Sequence, residues 1–162
     1  MKRVVVALLC ILVFAVSACS GDEPEATPES SVSVSEDGLT LKTAIIETDD
    51  EPVMLTVEIA ESEAERAKGL MGRTSLTEDH GMVFIFFEKH FGGFWMKNTL
   101  IPLSIAFFDQ EGEILEILDM EPCEKDPCPT YDPGVSYWGA LEVNKGAFDE
   151  WGVSVGDTIR MN

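Results

Sequence analysis

Residues 82–87 read Met-Val-Phe-Ile-Phe-Phe, a continuous apolar run bounded by Gly81 and Glu88. The run is too short for most helices, and it is rich in residues that favour β-structure. It therefore predicts a central strand of the fold.

Apolar and polar residues alternate in several segments on either side of this run. In residues 53–59 every second side chain is apolar, which is typical of a half-buried strand, and residues 39–46 have a similar pattern. Further strands are predicted over residues 94–96, 104–108, 113–120, 136–143 and 158–161.

Two short helical segments are predicted among these strands. Ser62 and Glu65 match a capping box and Gly69 stands where a helix ends, so residues 62–68 predict one short helix. A smaller helical turn is predicted over residues 147–151. Seven or eight short strands with one capped helix indicate a mainly β (α+β) fold, a compact antiparallel β-barrel or sandwich-like single domain with small helical turns.

Composition restricts the partners of the chain. The 162 residues include 30 acidic residues and 11 Lys and Arg, a formal net charge of −19. A surface of that sign repels phosphate backbones, which excludes nucleic acid as a partner. A hydrophobic fraction of 45% is enough to bury a core. Acid-rich surfaces serve both high-salt life and plain solubility, and composition does not separate the two.

The N-terminus predicts an exported lipoprotein. Residues 1–3 are a basic start, and residues 4–16 are an apolar run too short to span a membrane as a mature helix. Small residues then precede Cys19, an ending that resembles the lipobox of bacterial lipoproteins, in which the Cys is lipidated. We expect a signal peptide over 1–18 and membrane anchoring on the extracytoplasmic side, at the outer membrane or cell surface depending on the host. An ordinary signal peptide with an incidental Cys is the alternative.

A change in composition marks the domain boundary. Residues 21–38 are acidic and rich in Pro and Ser, with no basic or aromatic residue. Such a segment cannot bury a core. We therefore predict a lipid-anchored, acidic, disordered tether over residues 19–38 and a globular domain over residues 39–162.

Cys123 and Cys128 remain as a pair once Cys10 leaves with the leader and Cys19 carries lipid. An exported compartment is oxidising, and the two thiols bracket a short loop stiffened by prolines, so we predict a disulfide between them. The alternatives are a zinc site, although the two His lie far away in sequence, and a redox-active pair, although the CxxC spacing is missing.

Residues 92–99, Gly-Gly-Phe-Trp-Met-Lys-Asn-Thr, carry the densest candidate chemistry. Lys97 between apolar strands would be desolvated, a property that anion-binding amines exploit. Trp95 could stack on a sugar or another ring. Arg73 together with Lys97 could hold a carboxylate or phosphate. The candidate ligand-binding residues are Arg73, Trp95, Lys97, Asn98, Thr99, Glu142 and Asp157.

Five of these residues also have an ordinary structural interpretation. Lys97 would keep its amine in solvent, Asn98 and Thr99 would cap a bend, and Trp95 would belong to the core. Arg73 would pair with a surface Glu.

Three functions are compatible with this pattern. We favour a lipid-anchored binding or accessory domain for a small anionic or sugar-like ligand or an envelope protein. An envelope hydrolase with Glu142 or Asp157 as acid or base is the first alternative, and a scaffold for another envelope protein is the second. The sequence contains no known catalytic, metal or dinucleotide motif, so no catalytic residue, metal ligand or cofactor is predicted, and enzymatic activity stays open.

The order of several motifs resembles one family. The motifs are residues 63–71, residues 81–84, the WMKNT-x-IPL string of residues 95–103, residues 141–143, and residues 152–157. On these motifs the chain is similar to the domain of unknown function 192 (DUF192) family over roughly residues 53–162. The resemblance implies a small, exported or membrane-tethered, β-rich domain with no assigned biochemical role.

Overall fold

The structure is a computed structural model, and it describes residues 33–162. That part of the chain forms nine strands and two helices. They are β1 (Thr40–Glu47), β2 (Val53–Ala60), α1 (Glu63–Lys68), β3 (His80–His90), β4 (Phe94–Trp95), β5 (Leu103–Phe108), β6 (Ile114–Met120), β7 (Thr130–Tyr131), β8 (Tyr137–Asn144), α2 (Ala147–Glu150) and β9 (Thr158–Met161).

Seven strands form one curled sheet in the order β6-β5-β8-β3-β2-β1-β9. Neighbouring strands are antiparallel except β2 and β3, which are parallel. A parallel pair needs a crossover connection, which residues 61–79 with α1 supply. The two outermost strands meet at one end, where Glu113 bridges to Thr158 and the Ile159 amide donates to the Gly112 carbonyl oxygen at 2.8 Å. The sheet therefore closes there into a barrel-like body.

The concave side of the sheet holds the interior core. Side chains from all seven strands meet there, and Phe148 of α2 is buried among them. In β8, Leu141 and Val143 both face this side because alternate residues of a strand share a face. Since a fully buried aliphatic side chain contributes roughly 1.5–3 kcal/mol, this cluster is a main source of stability.

The convex side of β3, β5 and β8 is covered as well, and we call it the outer face. Phe84 of β3 and Ile105 of β5 are buried there beneath Leu70 and Met96, which follow α1 and β4 in the chain. A strand that is covered on both sides needs apolar residues at every position. This explains the apolar residues at 82–84, whereas Phe87 at the end of the run is 75% exposed.

The predicted mainly β single domain is confirmed. The short helix is α1, and its capping box is present: the Glu65 amide donates to the Ser62 hydroxyl at 3.2 Å, and the Ser62 amide donates to the Glu65 carboxylate at 2.8 Å. β7 was not predicted, because a strand of two residues has no alternation from which it could be recognised.

The N-terminal predictions fall largely outside the described residues. The signal peptide over 1–18, the lipid on Cys19 and most of the tether over 19–38 lie there, and they stay predictions. Within residues 33–162, no helix has the length and apolar character needed to cross a membrane.

The last residues of the predicted tether differ from the prediction. Residues 33–38 form a turn against β1, in which the Gly38 amide donates to the Ser35 carbonyl oxygen at 3.0 Å. Asp37 contacts the Lys68 amine at 2.8 Å. An acidic residue that composition assigns to a solvated tether is therefore paired with the body of the fold.

Candidate functional site

An open groove of about 640 Å³ lies between α1 and the end of β3 that leads to β4. Its volume is in the range of small-molecule sites, roughly 300–1,000 Å³. We call it the aromatic groove. Its lining residues are Glu63, Arg66, Ala67, Phe86, Phe87, Glu88, His90, Gly93, Phe94, Trp95 and Tyr137.

Ring contacts hold the wall of the aromatic groove. Phe86 stacks on His90 with ring centroids 4.2 Å apart, and it meets Tyr137 edge-on at 5.5 Å. The Tyr137 hydroxyl donates to a backbone carbonyl oxygen at 2.9 Å, and burial raises the pKa of that hydroxyl. Trp95, at the rim, is 54% exposed. The groove thus offers ordered ring surfaces to a ligand.

Arg66 supplies positive charge to the groove, but its guanidinium already has partners. It lies 4.9 Å from the centre of the Phe86 ring, and it donates to the Ile85 carbonyl oxygen at 3.0 Å and to the Glu61 carbonyl oxygen. These contacts tie α1 to β3. The Arg66 side chain therefore stabilises the wall of the groove through these contacts.

A second cavity of about 40 Å³ adjoins the groove on the side of the outer face. We call it the inner pocket. A volume of this size holds roughly two or three water molecules, or one small substituent of a ligand. Four residues line both cavities, namely Arg66, Ala67, Phe94 and Trp95. The inner pocket is completed by Lys68, Gly69, Leu70, Met71, Phe84, Thr99 and Glu142.

Glu142 is a buried carboxyl group in the inner pocket. It lies in β8 opposite Met82 of β3 and Ile105 of β5, so its neighbours across the sheet are apolar. Only 5% of the residue is exposed. Burial raises the pKa of Glu142 to about 8, and no hydrogen bond or charge among the described residues offsets that effect. The carboxyl group is therefore mainly protonated at neutral pH.

Glu58 of β2 is a buried glutamate on the same face with a different environment. It lies opposite Met82 from the other side and is 6% exposed. Arg73 donates two hydrogen bonds to its carboxylate, at 2.5 and 2.7 Å, and these bonds raise the pKa of Arg73. Of these two buried glutamates, only Glu58 has a cationic partner among the described residues.

Trp95 is positioned by a small second sheet. β4 pairs with β7, and Phe94 lies opposite Tyr131. The backbones approach closely: a Cβ atom at Gly93 would lie 2.3 Å from the Tyr131 carbonyl oxygen, so only glycine fits there. This contact fixes the start of the segment of residues 94–99, in which Phe94 and Trp95 line both the groove and the inner pocket.

The loop between Cys123 and Cys128 braces the rest of that segment. The two sulfur atoms lie 2.06 Å apart, the distance of a disulfide bond. Lys97 and Thr99 both form backbone β-bridges with Cys123. The Asn98 amide donates to the Cys123 carbonyl oxygen at 2.8 Å. Asn98 has a φ of 58°, in the left-handed region that Asn tolerates.

Three of the predicted ligand-binding residues come together at the inner pocket: Trp95, Thr99 and Glu142. Lys97 is their neighbour in sequence, but its amine contacts the Asp126 carboxylate in the disulfide loop. Lys97 lines neither the groove nor the inner pocket.

The other predicted residues lie elsewhere in the structure. Arg73 is held by Glu58, as described above. Asn98 is exposed, and its carbonyl oxygen accepts a hydrogen bond from a backbone amide at 2.9 Å. Asp157 accepts from the Ser154 amide at 2.7 Å within the turn before β9. The structure does not bring Asp157 together with Glu142.

Sequence reasoning missed Arg66, Phe86 and Tyr137 as groove residues. Phe86 could have been found, because it alternates with Phe84 in the central strand and must share its face. Nothing local marks Arg66 or Tyr137. They reach the groove through the pairing of β8 with β3 and the packing of α1 beside β3.

Comparison with known proteins gives a family and a fold. The model of the DUF192 family, described as "Uncharacterized ACR", matches residues 44–161. A proposed transcription regulator from Sinorhizobium meliloti 1021 is 32% identical with a TM-score of 0.71, over 76% of this chain and 95% of that one. A protein of unknown function from Novosphingobium aromaticivorans DSM 12444 is 27% identical with a TM-score of 0.75, over 86% and 99%. No curated protein matches the chain.

Proposed function

This chain belongs to the DUF192 family of uncharacterised proteins, and we propose that it is a binding domain for a neutral, sugar-like ring held in the aromatic groove. One observation carries the proposal: an open groove of about 640 Å³ has ordered ring faces along its wall and the exposed Trp95 at its rim. Aromatic surfaces with a few polar groups suit a ligand that is apolar on its faces and polar at its edge.

The distribution of charge favours a neutral ligand over an anionic one. Arg73 and Lys97, the cations that the sequence suggested for an anion, are each paired with a carboxylate. The guanidinium of Arg66 is hydrogen-bonded to backbone carbonyl oxygens. The net charge of −19 also opposes the approach of anions, nucleic acid included.

Titration calorimetry of the full-length chain with methyl β-glucopyranoside tests the proposal. We expect saturable binding, and we expect Trp95→Ala to weaken it roughly tenfold, since loss of an aromatic contact costs about 1–2 kcal/mol. Met54→Ala is the matched control, because Met54 is also exposed, at 69%, but lies on β2 and lines no part of the groove. Absence of binding for every methyl glycoside tested, or unchanged affinity in Trp95→Ala, would contradict the proposal.

A hydrolase is the second candidate, because a carboxyl group that stays protonated near neutral pH can serve as a general acid. Glu142 is such a group, and it lies beside the groove. Nitrophenyl glycosides test this function: turnover that disappears in Glu142→Gln, with binding retained, would favour the hydrolase. A binding domain gives no turnover in either protein.

The scaffold alternative rests on the exposed aromatic residues Phe87, Phe91 and Trp95. Two of them, Phe87 and Trp95, line the aromatic groove. Because these apolar side chains border a concave cleft with polar groups, a small ligand accounts for them better than a flat protein contact does.

We propose further that the protein acts outside the cytoplasm as a lipoprotein anchored through Cys19. The support is the sequence of the leader, with its basic start, short apolar run and small residues before Cys19. Two acyl chains on that residue would hold the protein stably on a bilayer. Cys19→Ser should move the protein from the membrane fraction to the soluble exported fraction, and retention of the variant in the membrane fraction would contradict the anchor.

A further inference from the structure

Two polar residues of low exposure, Thr99 and Glu142, line the inner pocket. Each residue is only 5% exposed. Neither takes part in a side-chain hydrogen bond with any residue in the described part of the chain, yet neither is sealed from solvent. Water in the inner pocket can therefore satisfy both groups, and a ligand hydroxyl can take its place.

We infer that Glu142 and Thr99 form a subsite that binds one uncharged, hydroxyl-bearing arm of a ring ligand whose ring lies in the aromatic groove. This inference rests on the proposed function and specifies the class of ligand. The inner pocket, about 40 Å³, is too small for a ring but has room for a hydroxymethyl group. Because the cavities share Phe94 and Trp95 as lining residues, a ligand that contacts these rings has its nearest substituent beside the pocket.

The chemistry of the two groups selects an alcohol. A protonated carboxyl group has one donor and an acceptor, and the Thr99 hydroxyl can act as either. A ligand hydroxyl, itself both donor and acceptor, satisfies all of these groups at once. A carboxylate arm could accept a hydrogen bond from the protonated Glu142, but its charge would be buried where no cation among the described residues is free to pair with it.

Charged groups surround the pocket, but they are engaged elsewhere. From α1, Arg66 donates to backbone carbonyl oxygens and Lys68 contacts Asp37. From β2, Glu58 is held by Arg73. On the segment before Thr99, Lys97 contacts Asp126, and β5 presents the uncharged Ile105 opposite Glu142. Burial therefore governs the ionisation of Glu142.

Three methyl β-glycosides with one ring and different arms test the subsite. The glucopyranoside carries a hydroxymethyl arm, the xylopyranoside has no arm, and the glucuronide carries a carboxylate. With the full-length chain at pH 6, we expect the glucoside to bind up to about tenfold more tightly than the xyloside, the value of one hydrogen bond. The glucuronide should bind no better than the xyloside.

Substitutions separate the subsite from the groove. Glu142→Gln keeps a donor and an acceptor but cannot ionise, so it should retain the preference for glucoside at pH 6 and at pH 9. The unsubstituted chain should lose most of that preference at pH 9, because a ligand arm that displaces water from the inner pocket removes hydration from the ionised Glu142 carboxylate. Thr99→Val should reduce the preference a few-fold at pH 6, and melting curves would show that each variant is folded.

The outcomes distinguish this inference from the proposed function. Equal affinity for glucoside and xyloside at pH 6, with both dependent on Trp95, overturns the subsite and leaves the groove proposal intact. A preference that Glu142→Gln abolishes at pH 6, or one that does not change with pH in the unsubstituted chain, also overturns it. Failure of all three glycosides to bind overturns the groove proposal itself.

Discussion

The two sides of the curled sheet are built from the same strands but differ in what they bury. Leu141 and Val143 lie on the concave side of β8, in an apolar cluster to which all seven strands contribute side chains. On the convex side of the same strand lies Glu142, next to a cavity. Among the described residues, the convex side also holds Glu58 and Thr99 in buried positions. Ser104 is buried on the concave side too, but its hydroxyl is hydrogen-bonded at 2.5 and 2.9 Å. The interior provides stability, and the inner pocket of the outer face holds polar groups without such bonds among the described residues.

The two buried glutamates sharpen this contrast. Glu58 and Glu142 lie on either side of Met82, on the same face and at the same level of the sheet. Arg73 compensates the burial of Glu58 with two hydrogen bonds. Burial without a cationic partner among the described residues raises the pKa of Glu142 to about 8, so at neutral pH the fold gives up stability at this position. Sites that give up stability in this way are candidates for function.

The largest expected effect lies in the interior. Leu141→Ala leaves a cavity among residues of all seven strands, and we expect it to lower the free energy of unfolding by about 2–5 kcal/mol. Urea denaturation at pH 5 and pH 8 measures the loss. It should be the same at both values of pH, because the substitution removes no titrating group. A loss below 1 kcal/mol would contradict the assignment of the concave side as the main core.

The neighbouring residue should behave differently, because its effect depends on pH. The pKa of Glu142 is about 8 in the folded chain and 4.5 for an ordinary Glu. Between these values the folded state holds a proton that the unfolded state has released, so the free energy of unfolding falls as the pH rises, by up to about 1.4 kcal/mol per pH unit. Glu142→Gln should remove this slope.

The matched control for that series is Glu111→Gln, which changes an exposed glutamate in the turn between β5 and β6. Its curve of unfolding free energy against pH should run parallel to that of the unsubstituted chain. If Glu142→Gln runs parallel as well, the buried carboxyl group does not titrate in the way described, and the contrast between the two faces fails.

The disulfide should stabilise the outer face more than the interior. Replacing Cys123 and Cys128 together by Ser removes the closure of a six-residue loop, worth about 2 kcal/mol. Cys123 forms backbone β-bridges with Lys97 and Thr99. The double substitution should therefore accelerate hydrogen exchange more in residues 94–99 than in β1 and β9. Uniform acceleration over the whole chain would show that the loop does not brace this face specifically.

The smallest effect is expected at Lys97. Its amine contacts Asp126, whose side chain is 69% exposed, and an ion pair of this kind contributes about 0.2–1 kcal/mol. Lys97→Gln should therefore change the melting temperature slightly and leave glycoside binding unchanged. A tenfold loss of glycoside affinity would contradict this account and would indicate that Lys97 contacts the ligand, as the sequence suggested.

Much of the fold could be predicted from local pattern. The apolar run over 82–87, the alternation in 53–59 and the capping box at Ser62 depend on neighbouring residues, and all three appear in the structure as predicted. The parallel pairing of β2 with β3 could not be predicted in this way. It depends on how the crossover through α1 packs, which no short segment encodes.

The candidate site was predictable only in part. Trp95 and Thr99 stand out by residue type, and the structure brings both to the inner pocket. The pairing of Lys97 with Asp126 joins residues 29 positions apart, and it depends on the disulfide loop lying against that segment. The burial of Glu142 depends on the cover over the outer face, which the sequence of β8 does not reveal.

The most direct test of this account is the titration of the Glu142 carboxyl carbon by carbon-13 NMR, with Glu142→Gln used to assign the signal. We predict a midpoint near pH 8 in the free protein. Saturating methyl β-glucopyranoside should move that midpoint upward, because the ligand prefers the protonated form. A midpoint near 4.5, or one that the bound glycoside leaves unchanged, would contradict the central claim that the groove and the buried carboxyl group form one site.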